Sequence, residues 1–252
     1  MKKNLIVGQS GGPTAVINGS LYGVVTEAMR HTEEIDEIYG MINGIEGFLN
    51  GHMMDMRSLI ETNELSLLRT TPGSYLGSCR YKLPEDLNDP VYPLLFNKFT
   101  SHGIGYFFYI GGNDSMDTVS KLSRYAKKIN SDIRFIGVPK TIDNDINFIP
   151  QSFGFETAVF KATEAIECAH TEACGVPNGI GLVKLMGRES GFIAARAALA
   201  LKEVNFVLIP EAPFSLEGEG GLLPALEERL KSRGHAVIVA AEGAGQHLLA
   251  EQ

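Results

Sequence analysis

The chain has 252 residues, of which 44% are hydrophobic, and its formal net charge is −8 at pH 7. This acidic balance argues against a nucleic-acid partner, because binding to a phosphate backbone needs a surplus of Lys and Arg. No apolar run approaches the roughly 20 residues that span a bilayer, so no membrane contact is expected. The three cysteines, and first residues that lead into a predicted strand rather than an export signal, favour a cytoplasmic setting.

Predicted strands and helices alternate along the chain, which predicts an α/β fold with mostly parallel sheets and helices on both faces. The first strand, residues 5–8, is followed by a glycine loop, residues 9–14, and a helix over residues 15–30. Such a loop can bind an anion, because the free N–H groups of the helix face the ligand. The glycine spacing matches neither the lysine-bearing phosphate loop nor the dinucleotide fingerprint, so an ordinary tight turn is an equal alternative.

Two later loops also carry polar and glycine residues. A Gly/Ser/Thr-rich loop over residues 70–80 ends in Arg80 and Lys82, which suits phosphate recognition, although most surface cations are simply solvated. A buried strand over residues 105–110 then meets Gly111-Gly112-Asn113-Asp114-Ser115, before a helix predicted from about residue 116 to residue 129. Asp114 and Ser115 are also good helix N-caps, a role that does not exclude ligand contact.

The central loop, residues 139–145, follows a predicted strand over residues 135–138 and carries two carboxylates, Asp143 and Asp145. One of them could take a proton from a substrate hydroxyl while the other orients the substrate or helps hold a cation. The adjacent Lys140 could neutralise the charge of a transferred phosphoryl group. The alternative is an Asp/Asn turn that caps the next helix.

The second half of the chain repeats the alternation of helices and strands. A helix is predicted over residues 153–173, and a strand over residues 180–185 ends in Met186-Gly187-Arg188. A last strand, residues 236–241, ends in Glu242, which could accept hydrogen bonds from sugar hydroxyls or be a solvated charge. Cys168 and Cys174 with His170 lack the spacing of a zinc site, so a structural role is expected for them.

Taken together, these loops resemble those of the phosphofructokinase family in order and approximate spacing. The resemblance extends from about Leu5 to Gln246. It implies a phosphofructokinase-like fold of two lobes, in which residues 1–140 bind the phosphoryl donor and residues 141–252 bind fructose 6-phosphate. Family members continue beyond Glu242 with a basic segment that grips the sugar 6-phosphate, so the second lobe is expected to be incomplete. The motifs that carry the resemblance are Ser10-Gly11-Gly12, Gly77-Ser78-Cys79-Arg80, Gly111-Gly112-Asn113-Asp114-Ser115, residues 139–145, Met186-Gly187-Arg188 and Glu242-Gly243.

The resemblance implies phosphoryl transfer to the 1-hydroxyl of fructose 6-phosphate by a Mg²⁺-dependent, cytoplasmic, homo-oligomeric enzyme of glycolysis. Asp143 matches the general base of the family. The implied catalytic set is Asp143, Lys140, Asp114, Thr141 and Arg188. The implied donor contacts are Gly11, Arg80, Gly112 and Ser115, the metal ligands are Asn113 and Asp114, and the sugar-phosphate contacts are Thr141, Asp143, Asp145, Met186, Gly187, Arg188 and Glu242.

The resemblance also bears on the donor. Members that use pyrophosphate carry Asp and Lys at the positions of Asp114 and Lys140. ATP-using members usually carry Gly at the position of Asp114. A carboxylate at Asp114 would repel the α-phosphate of a nucleotide. Pyrophosphate is therefore the expected donor, with ATP as the alternative. A catalytically silent regulatory subunit is a second alternative, because Asn113 replaces the usual magnesium-binding Asp.

Overall fold

The chain divides into two compact units, Met1–Lys140 (unit 1) and Thr141–Gln252 (unit 2). A computed structural model describes residues 2–62 and 64–250. In both units mostly parallel strands alternate with helices, which confirms the predicted α/β class. Within the described residues, no helix is long and apolar enough to cross a bilayer.

Unit 1 is built on a five-stranded sheet in the order β3-β2-β1-β4-β5. The strands are β1 (Lys3–Gln9), β2 (Ile35–Met41), β3 (Met53–Asp55), β4 (Ile104–Gly111) and β5 (Arg134–Pro139). All neighbours pair in parallel except β2 with β3. Because the chain continues from β1 to β2 on one side and from β4 to β5 on the other, the strand order reverses between β1 and β4. Open α/β sheets bind ligands at such a reversal, beside the carboxyl ends of the strands.

Helices cover both faces of this sheet. Ile6 of β1 packs into an aromatic cluster with Phe99 and Phe107, whereas its neighbours Leu5 and Val7 pack into a second cluster on the opposite face. This division follows from the alternation of side chains along a strand. The helices are α1 (Ile17–Ala28), α2 (Gly44–Leu49), α3 (Arg57–Glu61), α4 (Val91–Ser101) and α5 (Asn113–Lys128), with a 3₁₀ helix at Leu65–Arg69.

Unit 2 has a three-stranded parallel sheet in the order β6-β8-β7, formed by β6 (Gly179–Leu185), β7 (Phe206–Leu208) and β8 (His235–Ala241). One hydrophobic cluster joins the buried side chains of β8 to those of two helices, including Ile166 and Ile193. The helices of this unit are α6 (Phe155–Cys174), α7 (Phe192–Ala200), α8 (Leu222–Arg233) and α9 (Gln246–Ala250).

Three helix starts differ from the prediction. The first helix begins at Ile17 instead of residue 15, α5 begins at Asn113 instead of residue 116, and α6 begins at Phe155 instead of residue 153. The short elements α2, β3 and α3 were not predicted, because three to six residues are too few to show a hydrophobic period.

Candidate functional site

In unit 1, hydrogen bonds join the loop after β1 to the end of strand β4 and to the loop of residues 70–80. Ser10 donates its N–H to the carbonyl of Ile110 over 2.9 Å, and Gly11 donates to the carbonyl of Cys79 over 3.2 Å. The Ser78 hydroxyl returns a hydrogen bond of 2.5 Å to the carbonyl of Gly11. The predicted donor loops around Gly11 and residues 77–80 are thus brought together at the reversal of strand order.

Lys140, at the end of β5, lies against the same loops. Its N–H bonds to the carbonyl of Gly111 over 2.8 Å, and its Nζ donates to the carbonyl of Gly12 over 2.6 Å. The residue is only 7% exposed, and a Cβ added at Gly11 would lie 3.6 Å from Nζ. Because a buried ammonium must be hydrogen-bonded, the backbone contact fixes its position. The structure therefore places a positive charge directly beside the glycine loop.

The glycine loop after β1 does not have the predicted form of a helix N-terminus. Four residues separate Gly12 from Ile17, the first residue of α1. The N–H of Gly11, whose φ is 77°, is already donated to Cys79. The loop is thus tied to residues 78–79 and does not lead directly into the helix, so the predicted helix start is wrong, whereas anion binding by the loop stays a prediction.

The loop after β4 does form a strand–glycine–helix junction. Gly112 is the N-cap of α5, so Asn113 and Asp114 lie in the first helical turn and the N-cap alternative for Asp114 and Ser115 is wrong. The first N–H groups of a helix and its dipole favour an anion. Ser115 is 2% exposed and fills the space beside Gly111, where a Cβ would also lie 3.0 Å from the carbonyl of Ser10. Glycine is therefore required at position 111.

Lys82 is an exposed cation at this junction, and Arg80 is an exposed cation on the loop that Gly11 contacts. The Nζ of Lys82 lies 3.2 Å from Oδ1 of Asp114, and the two side chains are 70% and 61% exposed. An exposed pair of this kind is weak and can open for another partner. Arg80 is exposed, and within the described part of the chain its side chain makes no ion pair. Both cations can therefore turn toward an anion.

A buried polar network that the sequence reasoning missed holds the loop leading to Arg80. Gln9 donates Nε2 to Oδ1 of Asn18 over 3.0 Å and accepts the N–H of Leu76 over 3.0 Å. Asn18 also accepts the N–H of Tyr75 over 2.8 Å and donates to the carbonyl of Thr71 over 2.8 Å. Gln9 and Asn18 are both fully buried, which is unusual for amides. The network fixes residues 71–76 against β1 and α1.

A buried tyrosine, Tyr109, packs against the loop that leads to Arg80. The hydroxyl of Tyr109 lies 3.5 Å from Sγ of Cys79 and accepts a long hydrogen bond from the N–H of Ile45. Burial raises the pKa of the Tyr109 phenol above its ordinary value. The phenol therefore stays neutral at physiological pH.

In unit 2 the central loop is folded by its own polar side chains. Thr141 Oγ1 accepts the N–H of Asp143 over 3.1 Å, and Oδ1 of Asn144 accepts the N–H of Ser152 over 2.7 Å. Asn144 has a φ of 59°, a conformation that Asn tolerates better than most residues. Asp143 and Asp145 are half-buried. The loop does not cap the next helix, whose N-cap is Gly154, so that alternative is wrong. The role of the two carboxylates stays a prediction.

The loop after β6 is attached to the central loop. The hydroxyl of Ser190, a residue that is 5% exposed, donates to the carbonyl of Asp143 over 3.1 Å. Ser190 follows Arg188 by two residues, so this bond brings the loop of Arg188 to the loop of Asp143. No sequence signal pointed to this contact, because a serine in a loop is ordinary.

The ends of β6 and β8 meet at the same edge of the sheet. Glu242 donates its N–H to the carbonyl of Leu185 over 2.8 Å, and Gly243 donates to Gly187 over 3.1 Å. A Cβ at Gly243 would collide with the carbonyl of Arg188, which makes glycine necessary there. The side chains of Met186, Arg188 and Glu242 are exposed at this edge. Unit 2 thus brings together the loops of Asp143, Arg188 and Glu242.

Comparisons with known proteins identify the family of the chain. The family model described as phosphofructokinase matches residues 4–252. The chain is 41% identical over 243 residues to an ATP-dependent 6-phosphofructokinase of Amycolatopsis methanolica, covering 94% of this chain and 50% of that protein. It is 38% identical over 250 residues to a pyrophosphate–fructose 6-phosphate 1-phosphotransferase of Halomonas elongata, covering 96% of this chain and 58% of that protein.

A solved structure is similar over the same region. The pyrophosphate-dependent phosphofructokinase of Nitrosospira multiformis matches with a TM-score of 0.81 and 35% identity, over 96% of this chain and 61% of that one. The chain spans about half the length of the curated relatives it matches. Because the family model covers nearly all of it, the chain belongs to the phosphofructokinase family.

Proposed function

We propose that this member of the phosphofructokinase family serves an enzyme that transfers a phosphoryl group from pyrophosphate to the 1-hydroxyl of fructose 6-phosphate. The products would be fructose 1,6-bisphosphate and phosphate. A cytoplasmic homo-oligomer acting in glycolysis is part of the same proposal. The observation that carries the choice of donor is the carboxylate of Asp114 in the first turn of α5.

The position of Asp114 favours a small donor. The first-turn N–H groups of α5 attract phosphate, whereas the carboxylate of Asp114 repels a further phosphate group placed beside it. ATP would bring an α-phosphate and a nucleoside into this space, and pyrophosphate would not. Lys82, 3.2 Å from Asp114, moderates the repulsion without removing it.

Lys140 is the second support for pyrophosphate. Its ammonium is held at the carbonyl of Gly12 by a 2.6 Å hydrogen bond, so it does not have to be ordered when the donor binds. A fixed cation stabilises the charge that develops on a phosphate leaving group more than a mobile one does. We assign Gly11, Arg80, Gly112 and Ser115 to the donor site with it.

In unit 2, Asp143 is the proposed general base that takes the proton of the 1-hydroxyl. Its backbone is fixed at both ends, through Thr141 and Ser190, and such positioning is a main part of phosphoryl-transfer catalysis. Thr141 and Arg188 would contact the transferred phosphoryl group. The proposed sugar-phosphate contacts, several of which share these roles, are Thr141, Asp143, Asp145, Met186, Gly187, Arg188 and Glu242.

The family also implies Mg²⁺, and the residues at the start of α5 fit it. Mg²⁺ is commonly held by one or two carboxylates together with waters and substrate phosphates. Asp114 supplies one exposed carboxylate, and Asn113 supplies an amide oxygen in the same turn. When bound, the ion would neutralise charge on the donor phosphates. Asp114 would be the stronger ligand of the two, because its oxygens carry the negative charge.

An ATP-dependent enzyme is the second candidate. The observation that favours it is the 41% identity to a relative named as ATP-dependent, against 38% for one named as pyrophosphate-dependent. The two values are too close to separate the donors. A donor assay on the full gene product does separate them: we expect fructose 1,6-bisphosphate with pyrophosphate and little with ATP. Turnover with ATP and none with pyrophosphate would overturn the proposed donor.

The variant Asp114→Gly tests the role of the carboxylate. We expect the preference for ATP over pyrophosphate, measured as the ratio of kcat/KM values, to rise by about tenfold or more, a change of about 1.4 kcal/mol. Ser120→Gly, on the same helix, is the control for the flexibility that glycine introduces. An unchanged ratio in Asp114→Gly would reject the carboxylate as the discriminating group.

The variant Asp143→Asn tests whether the protein is a catalyst at all. Loss of a general base should lower kcat by about 10²–10⁴-fold while the affinity for fructose 6-phosphate, measured by calorimetry, changes little. If the unmodified protein binds fructose 6-phosphate but turns over with neither donor, the silent regulatory subunit is the better description.

A further inference from the structure

Three side chains of types that can bind a metal ion lie together in unit 2, away from the loops of the candidate site. His170 and Cys174 lie one turn apart on α6, and His235 is the first residue of β8. Their ligand atoms all lie within 4.8 Å of one another. Nε2 of His170 is 3.3 Å from Sγ of Cys174, and the two imidazole rings have centroids 5.3 Å apart.

The separations suit a tetrahedral ion. With metal–nitrogen bonds of about 2.0 Å and metal–sulfur bonds of about 2.3 Å, tetrahedral ligands lie roughly 3.3–3.6 Å apart. The His170–Cys174 pair already has this separation. Cys174 is exposed and the two histidines are half-buried, so small side-chain rotations can close the remaining distances. Three protein ligands would leave a fourth position for water.

A hydrogen bond to the backbone orients the imidazole of His235 as a metal ligand. Its Nδ1 lies 3.3 Å from the carbonyl of Arg233, so Nδ1 carries the proton and donates it. The other nitrogen, Nε2, then presents its lone pair. Metal-bound histidines commonly hold their second nitrogen against a carbonyl or carboxylate in this way. The tautomer follows from this hydrogen bond.

We propose that His170, Cys174 and His235 bind a zinc ion. One thiolate and two imidazoles are ligands for zinc and not for Mg²⁺, which prefers oxygen. The ion would cross-link the end of α6 to the start of β8. Glu242 lies beyond the other end of β8, and seven residues at about 3.3 Å each separate the two positions by roughly 20 Å. The zinc is therefore a structural clamp within unit 2 and not part of the proposed phosphoryl transfer.

The chain offers a matched control for the thiol. Cys168 lies on the same helix and is also exposed, but it does not belong to the cluster. The spacing of Cys168, Cys174 and His170 predicted no zinc site, because His235 lies far along the chain and only the fold brings it near. Since all of these residues are partly or fully exposed, their substitution should leave the apo protein folded.

Cobalt(II) is the probe for this site, because thiolate-bound tetrahedral cobalt gives strong absorption bands. Protein stripped with EDTA should bind one Co²⁺ per chain with a sulfur-to-cobalt charge-transfer band, and added Zn²⁺ should abolish the band. Cys168→Ser should keep the band and Cys174→Ser should lose it. His235→Ala should weaken Co²⁺ binding at least about tenfold, since it removes one of three ligands.

A thermal measurement supplies the second readout. Zn²⁺ should raise the Tm of the unmodified protein and of Cys168→Ser, because it binds the folded state, and should leave that of Cys174→Ser unchanged. Circular dichroism of each apo variant checks the fold. Absence of the cobalt band in the unmodified protein, or a band of equal intensity in Cys174→Ser, would overturn the proposal. These readouts do not depend on turnover, so they stand apart from the test of the proposed function.

Discussion

The two units use apolar residues in different ways. In unit 1, hydrophobic clusters cover both faces of the five-stranded sheet, and Leu5 of β1 is 1% exposed. In unit 2 one cluster packs α6 and α7 on β8, α8 has no buried residue, and Leu182 of β6 is 66% exposed. Two leucines of parallel strands thus lie in opposite environments, Leu5 in a central strand of its sheet and Leu182 in an edge strand.

Close packing of a helix explains the contrast in β6. Gly179 and Gly181 face α6, where a Cβ at Gly181 would lie 2.9 Å from the carbonyl of Ala169. Because the glycines occupy the buried face, the alternation of the strand leaves Ile180 and Leu182 outward. Hydrophobicity alone would therefore predict the wrong buried face for β6, because the glycines and not the large apolar residues form the contact with α6.

The largest expected difference in the free energy of unfolding is between substitutions of Leu5 and of Leu182. Leu5→Ala should cost about 2–5 kcal/mol of unfolding free energy, because it removes a buried side chain and leaves a cavity. Leu182→Ala should stay within about 0.5 kcal/mol, as is usual for exposed positions. Urea unfolding monitored by circular dichroism measures both. Equal costs would show that Leu182 is covered in solution.

A smaller difference in the free energy of unfolding is expected between the polar contacts that hold the loop of Arg80 in unit 1 and the loop of Asp143 in unit 2. Asn18→Ala removes three hydrogen bonds of a buried network and should cost about 1–3 kcal/mol. Ser190→Ala removes one, to the carbonyl of Asp143, and should cost about 0.5–1.5 kcal/mol.

Kinetics separates the functional consequences of these two variants. Asn18→Ala should raise the KM for the phosphoryl donor, because the loop of Arg80 loosens. Ser190→Ala should mainly lower kcat, because the Asp143 loop loses an anchor. Glu27→Ala, an exposed change on α1, is the control. The same kinetic effect from both variants would contradict a division of labour between the units.

A loss of stability of similar size is expected from the ion pairs. Lys121 in unit 1 is 4% exposed and contacts Asp117 at 2.7 Å, Glu85 at 2.5 Å and the carbonyl of Leu83 at 3.1 Å. Lys121→Met should cost only about 1–2 kcal/mol, because both carboxylates are exposed and return to water. Lys231 in unit 2 pairs with Glu227 on the exposed surface of α8, so Lys231→Met should hardly change Tm.

The pH dependence of stability tests the ion pairs of Lys121. Hydrogen bonds to Asp117 and Glu85 raise the pKa of Lys121 in the folded protein. Its charge therefore stabilises the fold fully below the unfolded pKa of about 10.4, and this contribution is lost as pH rises through the higher folded pKa. The stability difference between the unmodified protein and Lys121→Met should be constant near neutral pH and shrink in strong alkali. A difference that grows there would contradict the ion pair.

The sequence alone determined the α/β class, most strands and the loops that carry polar residues. Strand and helix periods are local, and the motifs around Gly111 and Asp143 are contiguous, so both are visible without a fold. The start of α5 was predicted three residues too late, because Asp114 and Ser115 are residue types that commonly cap a helix and were expected to precede it. Whether those residues act on pyrophosphate remains a proposal.

Only the tertiary structure decided which distant side chains touch. It set the Lys140 ammonium on the carbonyl of Gly12, tied Ser190 to Asp143 and completed the pair of His170 and Cys174 with His235. Each contact joins residues from separate parts of the chain, where no spacing rule applies. Strand order accounts for the first contact, because the parallel strands β1 and β5 deliver their carboxyl ends to one edge of a sheet. The packing of α6 on β8 accounts for the third.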